Sequence, residues 1–133
     1  MIRYAGSEDV DMLKQYERHI PTAMLQQCIK EKRVLLMFQD QTFIGWLRYG
    51  FFWDELPFMN MLYLLEGYRR QGNGRRLVDF WEKEMGRLGY HYVLTSTQSD
   101  EPGQHFYRAV GYQECGSLIL PWQPLEMVFI KEL

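Results

Sequence analysis

Apolar positions along the chain change period several times, and each change marks an element. Met1–Ala5 reads as a short first strand. Ser7 stands as an N-cap, with Asp9 and Asp11 in the first turn, where a helix dipole favours negative charge. Val10, Leu13 and Glu17, with Met12 and Tyr16, form a helical stripe ending near His19. Pro21 restarts the chain, and Met24, Leu25, Cys28 and Ile29 predict a second helix to about Lys32. Val34–Phe38 and Thr42–Tyr49 read as a hairpin turning at Asp40-Gln41, and Phe51–Pro57 as a loop. Phe58–Leu65 is apolar on both sides except at Asn60, as expected of a strand covered on both faces. Leu77, Phe80, Trp81, Met85 and Leu88 then share one face of a helix whose charged residues fall mostly on the other, and Gly89 stops it. Tyr90–Thr97 is a strand, about Gly103–Val110 a short helix, and Tyr112–Leu120 and Leu125–Lys131 the closing strands. This order predicts an α/β fold with a mixed, mostly antiparallel central sheet flanked by helices.

Composition narrows the classes. A chain of 133 residues has room for a single domain, residues 1–133, and its 47% hydrophobic and 24% charged residues suit an independent core. A net charge of −2 argues against a surface that coats nucleic acid. No apolar run approaches the ~18–20 residues that span a bilayer, and the start lacks a secretory signal, so no membrane partner is expected. Cys28 and Cys115 lie far apart without a CxxC, and His19, His91 and His105 show no metal spacing. A cytoplasmic protein without a metal is the expectation.

The chemistry concentrates in Leu62 to Leu77. Here a strand runs through a turn holding Gly67, Gly72 and Gly74 into a helix N-terminus, with Arg69, Arg70, Arg75 and Arg76 around it. Helix-start amides and arginines together favour a phosphorylated ligand. The segment lacks the Gly-Lys-[Ser/Thr] of a P-loop and the third glycine of a dinucleotide fingerprint. An ordinary turn with solvated arginines is the competing reading. A second segment, Phe106-Tyr107-Arg108-Ala109-Val110-Gly111-Tyr112, ends a short helix in glycine and feeds a strand. Taken alone, its aromatics read as core.

Arg69-Arg70-Gln71-Gly72-Asn73-Gly74 resembles the R/Q-x-x-G-x-G/A motif of the GNAT superfamily of acyl-CoA-dependent N-acetyltransferases, and Phe106 to Tyr112 resembles that family's F-Y-x-x-x-G-F/Y motif. The two occur in order, one helix and one strand apart, and the likeness extends over nearly the whole chain. It implies a GNAT-like fold, acetyl-CoA as cosubstrate and transfer of an acetyl group to a primary amine by direct attack in a ternary complex. By the same resemblance, Arg69, Arg70, Gln71, Gly72, Asn73, Gly74 and Arg75 hold the pyrophosphate, and Leu62, Tyr63 and Leu64 offer main-chain groups to pantetheine and the thioester. Tyr107 falls at the general acid.

Two departures accompany the likeness. The glutamate that some relatives carry on the central strand falls on Phe58, which takes no proton. Asp54, Glu55, water held by Asn60, or no dedicated base remain the alternatives. Asp100 stands where relatives often carry asparagine, and either touches the cofactor or caps the short helix. Phe51, Phe52, Trp53 and Phe58, with Asp54 and Glu55 beside them, form either an aromatic acceptor pocket with an acidic rim or a seal over the sheet edge. The resemblance implies a small-molecule or peptide amine as the acceptor. The closing strands are candidates for a homodimer contact, and a non-catalytic acyl-CoA-binding domain of the same fold is the rival function.

Overall fold

The computed structural model describes residues 1–133. Seven strands form one sheet in the order β1-β2-β3-β4-β5-β7-β6, comprising β1 (Ile2–Tyr4), β2 (Val34–Gln39), β3 (Thr42–Phe52), β4 (Leu56–Leu64), β5 (Tyr92–Gln98), β6 (Gln113–Leu118) and β7 (Glu126–Glu132). Pairing is antiparallel in β1–β2, β2–β3, β5–β7 and β6–β7. It is parallel in β4–β5, where Phe58 faces Leu94 and Met59 faces Thr95. The helices are α1 (Val10–Leu13), entered through a 3-10 turn at Ser7–Asp9, then α2 (Thr22–Lys30), α3 (Asn73–Arg87) and α4 (Gly103–Ala109). The mixed α/β architecture read from the pattern is the one observed.

By contact density the chain forms two compact units. In the first, residues 1–49 and 61–78, Leu13, Leu25, Cys28 and Ile29 pack with Val34, Leu36 and Trp46. In the second, residues 50–60 and 79–133, Trp81, Met85, Val93 and Phe129 are fully buried. Leu77, Trp81 and Met85, four residues apart, are each 0% exposed, as the stripe predicts, but Leu88 is 52% exposed and lies outside it.

Several boundaries differ from the sequence pattern, each for a local reason. Gly6, not Ser7, precedes the first turn, because Asp9 Oδ2 accepts the Gly6 amide at 2.8 Å while Arg3 forks onto the same carboxylate. The first helix ends at Leu13 rather than near His19. Beyond it the Glu17 carboxylate is taken by β3: Oε2 accepts Trp46 Nε1 at 3.1 Å and Arg48 Nε at 3.0 Å, and Oε1 accepts the His19 amide. Tertiary contacts thus override helix periodicity. The expected loop over Phe51–Pro57 is a tight turn instead. Glu55 N donates to Phe52 O at 3.0 Å, with Trp53 at φ 56° and Asp54 at φ 59°, so β3 runs on to Phe52 and β4 starts at Leu56. Two left-handed central residues define the hairpin turn whose twist matches its strands, normally built from Asn-Gly.

A side chain in that conformation is strained. Asp54→Gly is therefore expected to stabilise the protein by about 0.5–1 kcal/mol, read as a rise in the urea midpoint.

Candidate functional site

The turn between β4 and α3 is built from three left-handed residues, Gly67 at φ 93°, Arg70 at φ 61° and Gly72 at φ 82°. A Cβ added at Gly72 would meet no atom within 4 Å, so φ, not crowding, selects glycine and the space above the turn is open. Arg76 N donates to Gly72 O at 3.1 Å and begins the helical ladder, which leaves the amides of Asn73 and Gly74 at the mouth of α3.

Side chains hold the turn in shape. Asn73, 1% exposed, donates from Nδ2 to Tyr68 O at 2.9 Å and accepts Arg76 through Oδ1. Gln71 Nε2 donates to Gly67 O. Arg69 donates from Nε to Leu64 O at 2.7 Å, with its guanidinium 5.0 Å from the centre of the Tyr63 ring. Arg70 and Arg75 are exposed. The residues singled out from Arg69 to Arg75 thus occupy one turn, but Arg69 and Asn73 brace it.

The strand ahead of the turn is more open than a fully covered strand. Asn60 and Tyr63 are exposed, Met61 and Leu62 half-buried, and Leu64 buried. Tyr63 packs at a tilt against Trp46 with ring centres 5.0 Å apart. Gly45 on β3 permits the approach, because a Cβ there would stand 2.5 Å from Tyr63 O.

In the second unit, Tyr107 on α4 is 8% exposed. Thr95, whose hydroxyl donates to Met59 O at 3.0 Å, acts on its phenol. Burial raises the phenol's pKa, the Thr95 hydroxyl opposes the rise and the charge of Glu101 adds to it. The ring lies among Phe106, Tyr112 and Phe129. Pro102, not Asp100, stands at the start of α4, so Asp100 is not its cap.

Behind α4 lies a cluster that the helix pattern did not reveal. Glu82, 9% exposed, accepts Tyr112 Oη at 2.8 Å and Lys131 Nζ at 2.9 Å, and Lys131 also donates to Val110 O at the end of α4. Burial raises the Tyr112 pKa, and the Glu82 charge adds to it. The available signal was Val78, 2% exposed and one turn earlier on the same row of α3.

A cavity of about 560 Å³ opens in the second unit, lined by Phe51, Phe52, Trp53 and Phe58 together with side chains of β5, β6 and β7. The aromatic pocket therefore exists. Its acidic rim does not: Asp54 and Glu55 are exposed and neither lines it. No group of three His, Cys, Asp or Glu side chains could hold a metal ion, and no helix is long and apolar enough to cross a membrane.

Comparison with known proteins agrees with this geometry. A GNAT-family acetyltransferase from Bacillus cereus superposes with a TM-score of 0.79 at 21% identity, over 99% of this chain and 96% of that one. The PaiA N-acetyltransferase of Thermoplasma acidophilum, solved with coenzyme A, gives 0.81 at 17% identity, over 100% and 98%. Arabidopsis thaliana Naa50, solved with the bisubstrate analogue CoA-Ac-MVNAL, gives 0.81 at 14%, over 100% and 98%. At such identities the likeness is one of fold. No curated protein matches in sequence. The family model for the acetyltransferase (GNAT) family matches residues 5–112, from the end of β1 through the glycine turn to the last aromatic of the α4 segment. With motif order, sheet topology and family match in agreement, the chain belongs to the GNAT acetyltransferase family.

Proposed function

We propose that this chain transfers the acetyl group of acetyl-CoA to the nitrogen of a primary amine, by direct attack in a ternary complex. The observation that carries the reading is the turn before α3, where left-handed backbone, open space over Gly72 and a helix mouth suit a diphosphate. The amides from Gln71 to Gly74 contact it, and Arg70 and Arg75 add charge. Leu62, Tyr63 and Leu64 offer main-chain groups to pantetheine, and one amide polarises the thioester carbonyl. A preorganised donor at that oxygen is worth ~3–4 kcal/mol of barrier. The coenzyme A bound to PaiA and the CoA-linked peptide analogue bound to Naa50 support this cosubstrate and a small-molecule or peptide amine as acceptor.

Tyr107 stabilises the departing thiolate. Full proton transfer from a phenol of pKa ~10 to a thiolate of ~8.5 is uphill by ~2 kcal/mol, and burial raises the phenol further, so hydrogen bonding is the larger part of its role. A cytoplasmic location belongs to the same reading, supported by two free cysteines.

Calorimetry with coenzyme A and acetyl-CoA, followed by thiol release with a panel of amines, tests the proposal. Binding of both cosubstrates and amine-dependent release are expected. Absence of heat at millimolar ligand overturns it, while heat without release identifies an acyl-CoA-binding module.

A further inference from the structure

We propose that the aromatic cavity holds the body of the acceptor, and that the acceptor is a weakly basic amine on a flat apolar body, of the arylamine class. The inference rests on the acetyl-transfer reading above.

A cavity of about 560 Å³ has the size of a small-molecule site. Phe52 stands 4.5 Å from Trp53 and 6.2 Å from Phe58 between ring centres, and Leu94, Val128 and Ile130 complete an apolar wall. Trp53 is 74% exposed at this wall although its own backbone is left-handed, a conformation that bulky residues avoid.

Charge selects among apolar amines. No lining residue is acidic, basic or a histidine; the polar side chains are the Asn60 amide and the Cys115 thiol, whose pKa burial raises. A lysine-like ammonium would enter without a counter-ion, and only about one molecule in a thousand is neutral near pH 7.4. An amine whose conjugate acid has a pKa below neutrality arrives uncharged and needs no base. Phe58 and Asn60 line the cavity from β4, the strand to which the thioester is assigned. There the amine nitrogen forms its bond to the acetyl carbon as the carbon–sulfur bond breaks. The proton lost by nitrogen goes to water, and sulfur gains one from Tyr107 or solvent, giving amide and free thiol.

Thiol release with p-anisidine, tryptamine and spermidine tests this. The expected order of kcat/KM is p-anisidine, tryptamine, spermidine, with about tenfold or more between first and last. Phe58→Leu should raise KM for p-anisidine several-fold and leave KM for acetyl-CoA unmoved. A cation in first place, or an unchanged p-anisidine KM in Phe58→Leu, overturns the proposal. Should no amine release thiol, saturation-transfer NMR with p-anisidine alone decides the cavity: a signal weakened by Phe58→Leu supports it, and no signal overturns it. Coenzyme A calorimetry on the same sample separates failure of this inference from failure of the acetyl-transfer reading.

Discussion

Tyr107→Phe is expected to retain acetyl-CoA binding and to lose about a hundredfold or more in turnover. The substitution removes one oxygen from a ring that is 8% exposed and packed among aromatics, so the shape of α4 against Phe129 is kept. Its structural cost is small, because Thr95 keeps Met59 O as a partner and no buried donor is stranded. Loss of kcat with a near-constant KM for acetyl-CoA and a melting temperature within a few degrees would match the proposed role, whereas unchanged turnover removes Tyr107 from the mechanism. The pH dependence has a definite sign. The folded phenol's pKa is raised, so its proton is held more tightly than in the unfolded chain. The resulting stability is present below pH ~10 and is lost as pH rises through the folded value, and activity needing the protonated phenol persists to at least the same limit.

The largest stability effect is expected at Arg48→Met, about 3–5 kcal/mol, read as a fall in the urea midpoint. The Glu17 side chain is 0% exposed and that of Arg48 8%, so removing the guanidinium leaves a carboxylate in the core with only Trp46 Nε1 and one amide to satisfy it. Against a domain stability of roughly 5–15 kcal/mol, this brings the fold near its threshold. Removing both charges, in Glu17→Leu with Arg48→Met, should cost less than Arg48→Met alone, because an apolar pair leaves no stranded charge. Equal or greater loss in the double variant would contradict this account.

What the sequence disclosed and what it withheld divide along physical lines. The face of α3 was legible because Leu77, Trp81 and Met85 repeat at the helical period, and the α3 turn because glycine supplies left-handed backbone at Gly67 and Gly72. Even Glu17 falls on the apolar stripe of its segment. Its partner Arg48 was not legible, because burial of that charge depends on a contact 31 residues away. The same holds for Lys131 and Glu82, 49 residues apart. The Trp53-Asp54 turn lacked the Asn-Gly signature that announces such hairpins, and the insertion of β7 between β5 and β6 follows from long-range register rather than local pattern. The residues assigned to the site came from the resemblance to the family's two motifs, while the neutrality of the cavity was not legible, since it depends on Asp54 and Glu55, in the turn beside it, not lining it.

One further feature bears on how these molecules behave in company. The outermost strand, β6, shifts register against β7 between Glu114 and Gly116, at Cys115. A foreign ribbon laid along that border would find its donors and acceptors falling out of step halfway, as bulged margins generally ensure. Endless fibrous growth by sheet-to-sheet templating is thereby discouraged, even though the rim carries Leu118 and Ile119 in the open.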